Sequence, residues 1–323
     1  MKKIIFSAAF GFLLATALPQ NEHKTDSVPG LKVEKKALQF IAFGDWGRNG
    51  EYKQKEVALE LGIVAKQVKA AFIISTGDNF YPSGVRSTQD HNWVASFENI
   101  YTAHSLQTDW YVVLGNHDYK GSPQAEVDYT KLERRWNMPG RYYSKKIFIK
   151  DDSTQQVLLV FIDTSPFISQ YYESPDHQEN VKSQDTAAQR KWLEEVLADQ
   201  SPHIRWKIVV GHHPLYTGGG RINSVETKEL NRMLKPIFDK YKVDAYICGH
   251  EHSLQYIKPA GPTHYFISGS GSEITPANLY PQGGRFAQSE NGFMVFTLSP
   301  VSMQVQVISY EGKILYTSDP IPH

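Results

Sequence analysis

The sequence predicts an α/β fold in which two sheets pack face to face with helices outside them. Strand-like apolar runs alternate with segments of helical periodicity through most of the chain. Several of those runs are continuously apolar, as strands covered on both faces require. After Gly249 the texture changes to short strand-like runs separated by Gly, Pro and Ser.

Gln39 to Phe43 reads as a strand leading to Asp45; Val57, Leu61, Val64 and Val68 then recur at helical spacing, and Phe72 to Thr76 leads into Asp78. This is a βαβ unit. Trp110 to Leu114, Val157 to Ile162, Trp206 to Val210 and Ala245 to Ile247 are further buried strands. Between them Ala188, Trp192, Val196 and Leu197 form one apolar helix face, and Leu230, Met233, Leu234, Ile237 and Phe238 form another. Pro236 predicts a kink or a late start in the second of these helices. Beyond Gly249, His264 to Ser268, Phe293 to Leu298, Met303 to Ser309 and Ile314 to Ser318 predict a largely antiparallel second sheet. Ser165 to Gln184 is polar, contains Pro166 and Pro175 and has no sustained periodicity, which predicts a long loop.

Composition bounds function before any motif is read. At 323 residues, 41% hydrophobic and 12% aromatic, the chain can bury a substantial core. No Pro/Gly/Ser-rich linker divides it, so residues 37–323 are expected as one domain after a poorly ordered stretch at 18–36. Lys+Arg 34 balances Asp+Glu 34, so nucleic-acid binding gets no electrostatic support from the chain as a whole. Lys2 and Lys3 precede the apolar run Ile4 to Leu14, and Ala15-Thr16-Ala17 offers a small-x-small cleavage site. Residues 1–17 therefore read as a secretory signal peptide, and the mature protein as periplasmic or secreted. That run falls short of the roughly 20 residues a bilayer needs, and no second run is long enough. The one cysteine, Cys248, permits no intramolecular disulfide and, after Ala245-Tyr246-Ile247, suits a small buried core residue. There is no Asn-x-Ser/Thr sequon, so N-glycosylation is not expected.

Five short segments each end a predicted strand with a side chain able to bind metal. They are Gly44-Asp45-Trp46-Gly47, Gly77-Asp78-Asn79-Phe80-Tyr81, Gly115-Asn116-His117-Asp118, Val209-Val210-Gly211-His212 and Gly249-His250-Glu251-His252. A single strand-terminal Asp, Asn or His is an ordinary turn or cap residue. Five in register can converge, because the crevice of an open α/β sheet lies beyond the carboxyl ends of its strands. The resulting site is rich in carboxylate and imidazole.

These blocks resemble the purple acid phosphatases, whose motifs run D-x-G, G-D-x-x-Y, G-N-H, V-x-x-H and G-H-x-H. The likeness is to the small, mammalian-type tartrate-resistant enzymes and runs from about Phe40 to the last strand, with Tyr81 its most discriminating letter. It implies the calcineurin-like metallophosphoesterase fold, an α/β/β/α sandwich. It also implies an acid phosphatase that hydrolyses phosphate monoesters by attack of a metal-bound hydroxide at a binuclear Fe(III)–M(II) centre. Site one would be Asp45, Tyr81 and His252, site two Asn116, His212 and His250, with Asp78 bridging. Carboxylate and tyrosinate suit Fe(III), and the less charged Asn and imidazole set suits Fe(II) or Zn(II), with Mn(II) a further option. Paired ions about 3.5 to 4 Å apart can hold both the attacking and the leaving oxygen of an in-line displacement.

His117 is not a ligand in this pattern and is expected to face the substrate phosphate as a catalytic group. Asn79, His213 and Asp118 are expected beside the substrate. Asp118 either orients His117 or makes an ordinary turn bond, and His213 either faces the substrate or packs. Mammalian members are typically glycosylated and carry a disulfide beside the active-site loop, and this chain departs from both. In them a loop at the place of Ser165 to Gln184 restrains activity, so a mobile flap over the entrance is expected here. The implied partners are small phosphate esters, with phosphoproteins or nucleotides among the options, acted on by a monomer. Two other classes stay open: a binuclear phosphodiesterase or nucleotidase, which Tyr81 argues against, and an exported non-catalytic metal- or phosphate-binding protein.

Overall fold

The computed structural model of the chain describes residues 26–150 and 152–323. The expected signal peptide at 1–17 lies outside the described residues. In chain order the first elements are β1 (Leu38–Phe43), α1 (Gln54–Val68), β2 (Phe72–Ser75), β3 (Asp109–Val112), α2 (Pro123–Tyr129) and β4 (Trp136–Asn137). Next come β5 (Tyr143–Ile149), β6 (Asp152–Phe161), α3 (Gln178–Lys182), α4 (Thr186–Leu197), β7 (Ile204–Val210), α5 (Val225–Tyr241) and β8 (Ala245–Cys248). The last are β9 (Leu254–Ile257), β10 (His264–Ser268), β11 (Gly284–Gln288), β12 (Gly292–Leu298), β13 (Ser302–Ser309), β14 (Ile314–Thr317) and β15 (Ile321–Pro322).

Two mixed sheets result. The first has the order β14-β13-β12-β1-β2-β3-β4, with β15 on β13, and the second β11-β9-β10-β8-β7-β6-β5. β1 to β4 run parallel, as do β6, β7, β8 and β10. The carboxyl ends of the parallel strands β1, β2, β3, β7 and β8 deliver the five motif blocks. Phe40 explains how the sheets meet: it stacks on Phe72 and Phe296, and Phe296 meets Phe266 of the other sheet edge-on at 5.2 Å.

The sheet assignment corrects one expectation. The antiparallel run after Gly249 does not build a sheet of its own: β12 pairs with β1, so β12, β13 and β14 extend the first sheet, while β9 to β11 extend the second. Alternation shows that a strand exists and is silent about its partner, here some 250 residues away. Two local expectations change as well. α5 starts at Val225 behind a Ser224 cap and runs through Pro236, so there is no late start. From Asp26 onward the segment expected to be poorly ordered is tied down, with the Val28 N–H bonded to Gln67, the Lys32 N–H to Gln306 and Leu31 buried.

Ser165 to Gln184 is likewise not a structureless loop. It holds short 3₁₀ turns at Ser165–Phe167 and Ser169–Tyr172 and then α3, because Ile168, Tyr171 and Val181 are buried among its polar residues. Cys248 is buried and unpaired, as its position suggested.

Candidate metal centre

Three of the five blocks reach the site through a tight turn with stored strain. Asp45, Asp78 and His250 have positive φ (60°, 48° and 68°), a conformation that costs a non-glycine residue roughly 1–3 kcal/mol. The motif glycines make room: a Cβ on Gly115 would strike the Asp78 carboxylate, and one on Gly249 the Asp45 carboxylate. Beneath the first two blocks lies an aromatic floor in which Trp46 meets Phe80, Tyr101, Trp110 and Trp136 and donates through Nε1 to Ser75.

Two clusters of donor atoms stand side by side. In the first, the Tyr81 hydroxyl lies 3.1 Å from Asp45 Oδ1, 3.0 Å from Asp78 Oδ2 and 3.0 Å from His252 Nε2. One phenolic oxygen faces two carboxylates and an imidazole nitrogen. In the second, His212 Nε2 lies 3.3 Å from Asn116 Oδ1, 3.2 Å from His250 Nδ1 and 3.5 Å from Asp78 Oδ2. Ligands held about 2.0–2.2 Å from one ion sit roughly 3.0–3.5 Å from each other, so both clusters fit a metal. Asp78 Oδ2 belongs to both.

Neighbours orient the imidazoles, with tautomers inferred from these bonds. His212 Nδ1 donates to the Thr76 carbonyl at 2.8 Å and His250 Nε2 to Glu226 at 3.0 Å, which turns the other nitrogen of each ring toward the cluster. Burial lowers the His212 imidazole, but the Asp78 carboxylate overrides it and raises it to about 9. Burial alone would push Asp78 up, yet His212 and its neighbours hold it well below the usual carboxylate range. A proton on His212 thus stands where a cation would be held. Burial and the Asp45 and Asp78 carboxylates push the Tyr81 phenol up.

His117 is partly exposed at the rim. Its N–H donates to Asp78 Oδ1 at 2.7 Å, and its Nδ1 donates to the Pro82 carbonyl at 2.6 Å, leaving Nε2 available. The three residues expected beside the substrate are all fully buried. Asn79 spends its amide on Val113, Asp118 and Glu126. Asp118 accepts from the N–H groups of Asn79, Phe80 and Gly115, and His117 turns its Nδ1 to the Pro82 carbonyl instead. His213 packs against His250 and bonds Thr164 and Tyr171.

Sequence reasoning missed Glu226, Tyr171 and Arg48. Tyr171 donates to Glu226 at 2.6 Å from the segment read as a loop, and Glu226 opens a helix, where an acidic residue is routine.

The calcineurin-like phosphoesterase family matches residues 38–254. Purple acid phosphatase 4 of Arabidopsis thaliana is 34% identical over 98% of this chain and 93% of its own. Human tartrate-resistant acid phosphatase type 5 is 32% identical over 87% of this chain and 90% of its own. The chain belongs to the purple acid phosphatases. Among solved structures, GAP50, the anchor in the inner membrane complex of Plasmodium, superposes with a TM-score of 0.75 at 24% identity over 90% of both chains. The purple acid phosphatase PPD1 from yellow lupin gives 0.62 at 14% identity, over 88% of this chain and 53% of that one. At such identities these two likenesses speak to the fold of this purple acid phosphatase alone. Among the described residues no helix is long and apolar enough to cross a membrane.

Proposed function

We propose that this purple acid phosphatase divides its donors between two ions, with Asp45, Tyr81 and His252 holding Fe(III), Asn116, His212 and His250 holding Fe(II), Zn(II) or Mn(II), and Asp78 bridging. The reading rests on one observation above the others: Asp78 Oδ2 is 3.0 Å from Tyr81 Oη and 3.5 Å from His212 Nε2, so one oxygen serves both clusters. Bound there, paired ions neutralise the phosphate and lower the pKa of water. The protein holds the substrate between this centre and His117.

His117 then acts as general acid. Its Nδ1–H is spent on Pro82, so Nε2 hands its proton to the leaving alcohol. Burial lowers this imidazole from the ordinary histidine value against the pull of Asp78, so the protonated form is populated at acid pH and lost as pH rises. That suits a phosphatase working on the acid side. Export is proposed with the function, on the signal-peptide pattern at residues 1–17.

Metal analysis, a visible spectrum and turnover of mono- and diesters on pure protein test the reading together. Two metals per chain, a visible tyrosinate band and monoester hydrolysis at acid pH are expected. A colourless protein with one metal, or one that cleaves diesters and spares monoesters, would sink it.

A further inference from the structure

Arg48 follows the first motif block directly and reaches every residue proposed for site one alone. Its guanidinium carbon lies 3.7 Å from the centroid of the Tyr81 ring and 5.1 Å from that of Tyr52. Its Nε donates to Ser272 Oγ at 3.1 Å, and that hydroxyl donates at 2.6 Å to the Asp45 carbonyl. Its outer nitrogen pairs with Glu273 Oε2 at 2.6 Å, and the same oxygen is 3.8 Å from His252 Nδ1. That nitrogen is buried and has no hydrogen-bond partner, so Glu273 is the group on hand for its proton. The Arg48 side chain is only 15% exposed, sealed in by these contacts. Site two has only a looser counterpart among the described residues: Arg221 lies 3.7 Å from Glu226, which bonds His250, and 3.5 Å from Glu251, and it is far more exposed.

We propose that Arg48 is the positioning residue of metal site one, an inference that rests on reading that cluster as a metal site. The flat fork holds the Tyr81 ring by its face while bonding Ser272 and Glu273 along its edge, which a lysine ammonium cannot do at once. Through those two residues it sets the Asp45 turn and the His252 tautomer. Its charge also lowers the energy of the ring electrons. With iron in site one, the tyrosinate-to-iron absorption then lies at shorter wavelength than it would without the arginine.

The test compares wild-type holoenzyme with Arg48→Ala, Arg48→Lys and Glu273→Gln by metal retention against graded chelator and by the visible band. Arg48→Ala is expected to release one metal at about 10- to 100-fold lower chelator while keeping the other. Its remaining coloured fraction should absorb at longer wavelength. Arg48→Lys should keep the band nearer its wild-type position and still lose site-one metal early; Glu273→Gln should lose it early with the smallest band shift. Wild-type retention and an unmoved band in Arg48→Ala and Arg48→Lys would overturn the proposal. So would equal loss of both metals in Arg48→Ala with a wild-type Arg48→Lys. If Arg48→Ala does not fold, Arg48→Lys and Glu273→Gln decide by the same two readouts. A wild type that binds fewer than two metals would instead sink the reading of the centre itself.

Discussion

The two halves of the centre are held in different ways. At site one the proposed ligands touch each other, with three of them meeting at the Tyr81 hydroxyl, and an aromatic floor around Trp46 fixes the turns that carry Asp45 and Tyr81. At site two the imidazoles are aimed from behind by groups that bind no metal, Thr76 and Glu226, with Tyr171 bracing Glu226 in turn. The aromatic floor and the sealed Arg48 secure the first half, and hydrogen bonds from Thr76 and from Glu226 with Tyr171 secure the second. The second half should therefore be the more easily loosened from outside.

The most severe change should erase the comparison altogether. Asp78→Ala removes the oxygen common to both clusters, so metal content after dialysis is expected to fall toward zero, against loss of one equivalent in Asn116→Ala. Two retained metals in the Asp78 variant would refute bridging. Next, His117→Ala should cost about 10² to 10⁴ in rate for esters with poor leaving groups and less for activated aryl phosphates, with both metals kept. The alkaline limb of the wild-type profile should shift or vanish in that variant. Equal losses for both ester classes would reduce His117 to positioning.

Glu226→Gln sharpens the contrast. It should weaken site-two metal by about 10- to 100-fold and leave the tyrosinate band in place, and a shifted band would show that the halves are not independent. Tyr81→Phe, the mildest for turnover, should abolish the colour and leave measurable hydrolysis. An unchanged band in that variant would take Tyr81 out of the metal site.

The motif blocks were legible in the sequence because each is a strand end, a glycine and a donor within a few residues, and the structure gathers all seven proposed ligands at one place. What surrounds them was not. Glu226 and Glu273 are ordinary acidic residues until folding puts them behind an imidazole, and Arg48 is one cation among many until it lies over Tyr81. Asn79, Asp118 and His213 show the opposite limit, since membership in a block implied proximity to substrate and the fold buries all three. Strand existence was legible too, while the β1–β12 pairing, which decides which sheet takes the C-terminal strands, lies beyond any local pattern.

The division of ligands between the sheets has a mechanical consequence. Asp45, Asp78, Tyr81 and Asn116 hang from the first sheet, and His212, His250 and His252 from the second, so each proposed ion would tie together segments such as Tyr81 and His252, 171 residues apart. With Cys248 its one cysteine, the chain can form no internal disulfide. The ions would be its rivets. Ligand held 100-fold above its dissociation constant adds about 2.7 kcal/mol to a fold that alone can bind it. The melting temperature should then follow free metal concentration, and acid strong enough to protonate the imidazoles would loosen the two sheets as it empties the centre.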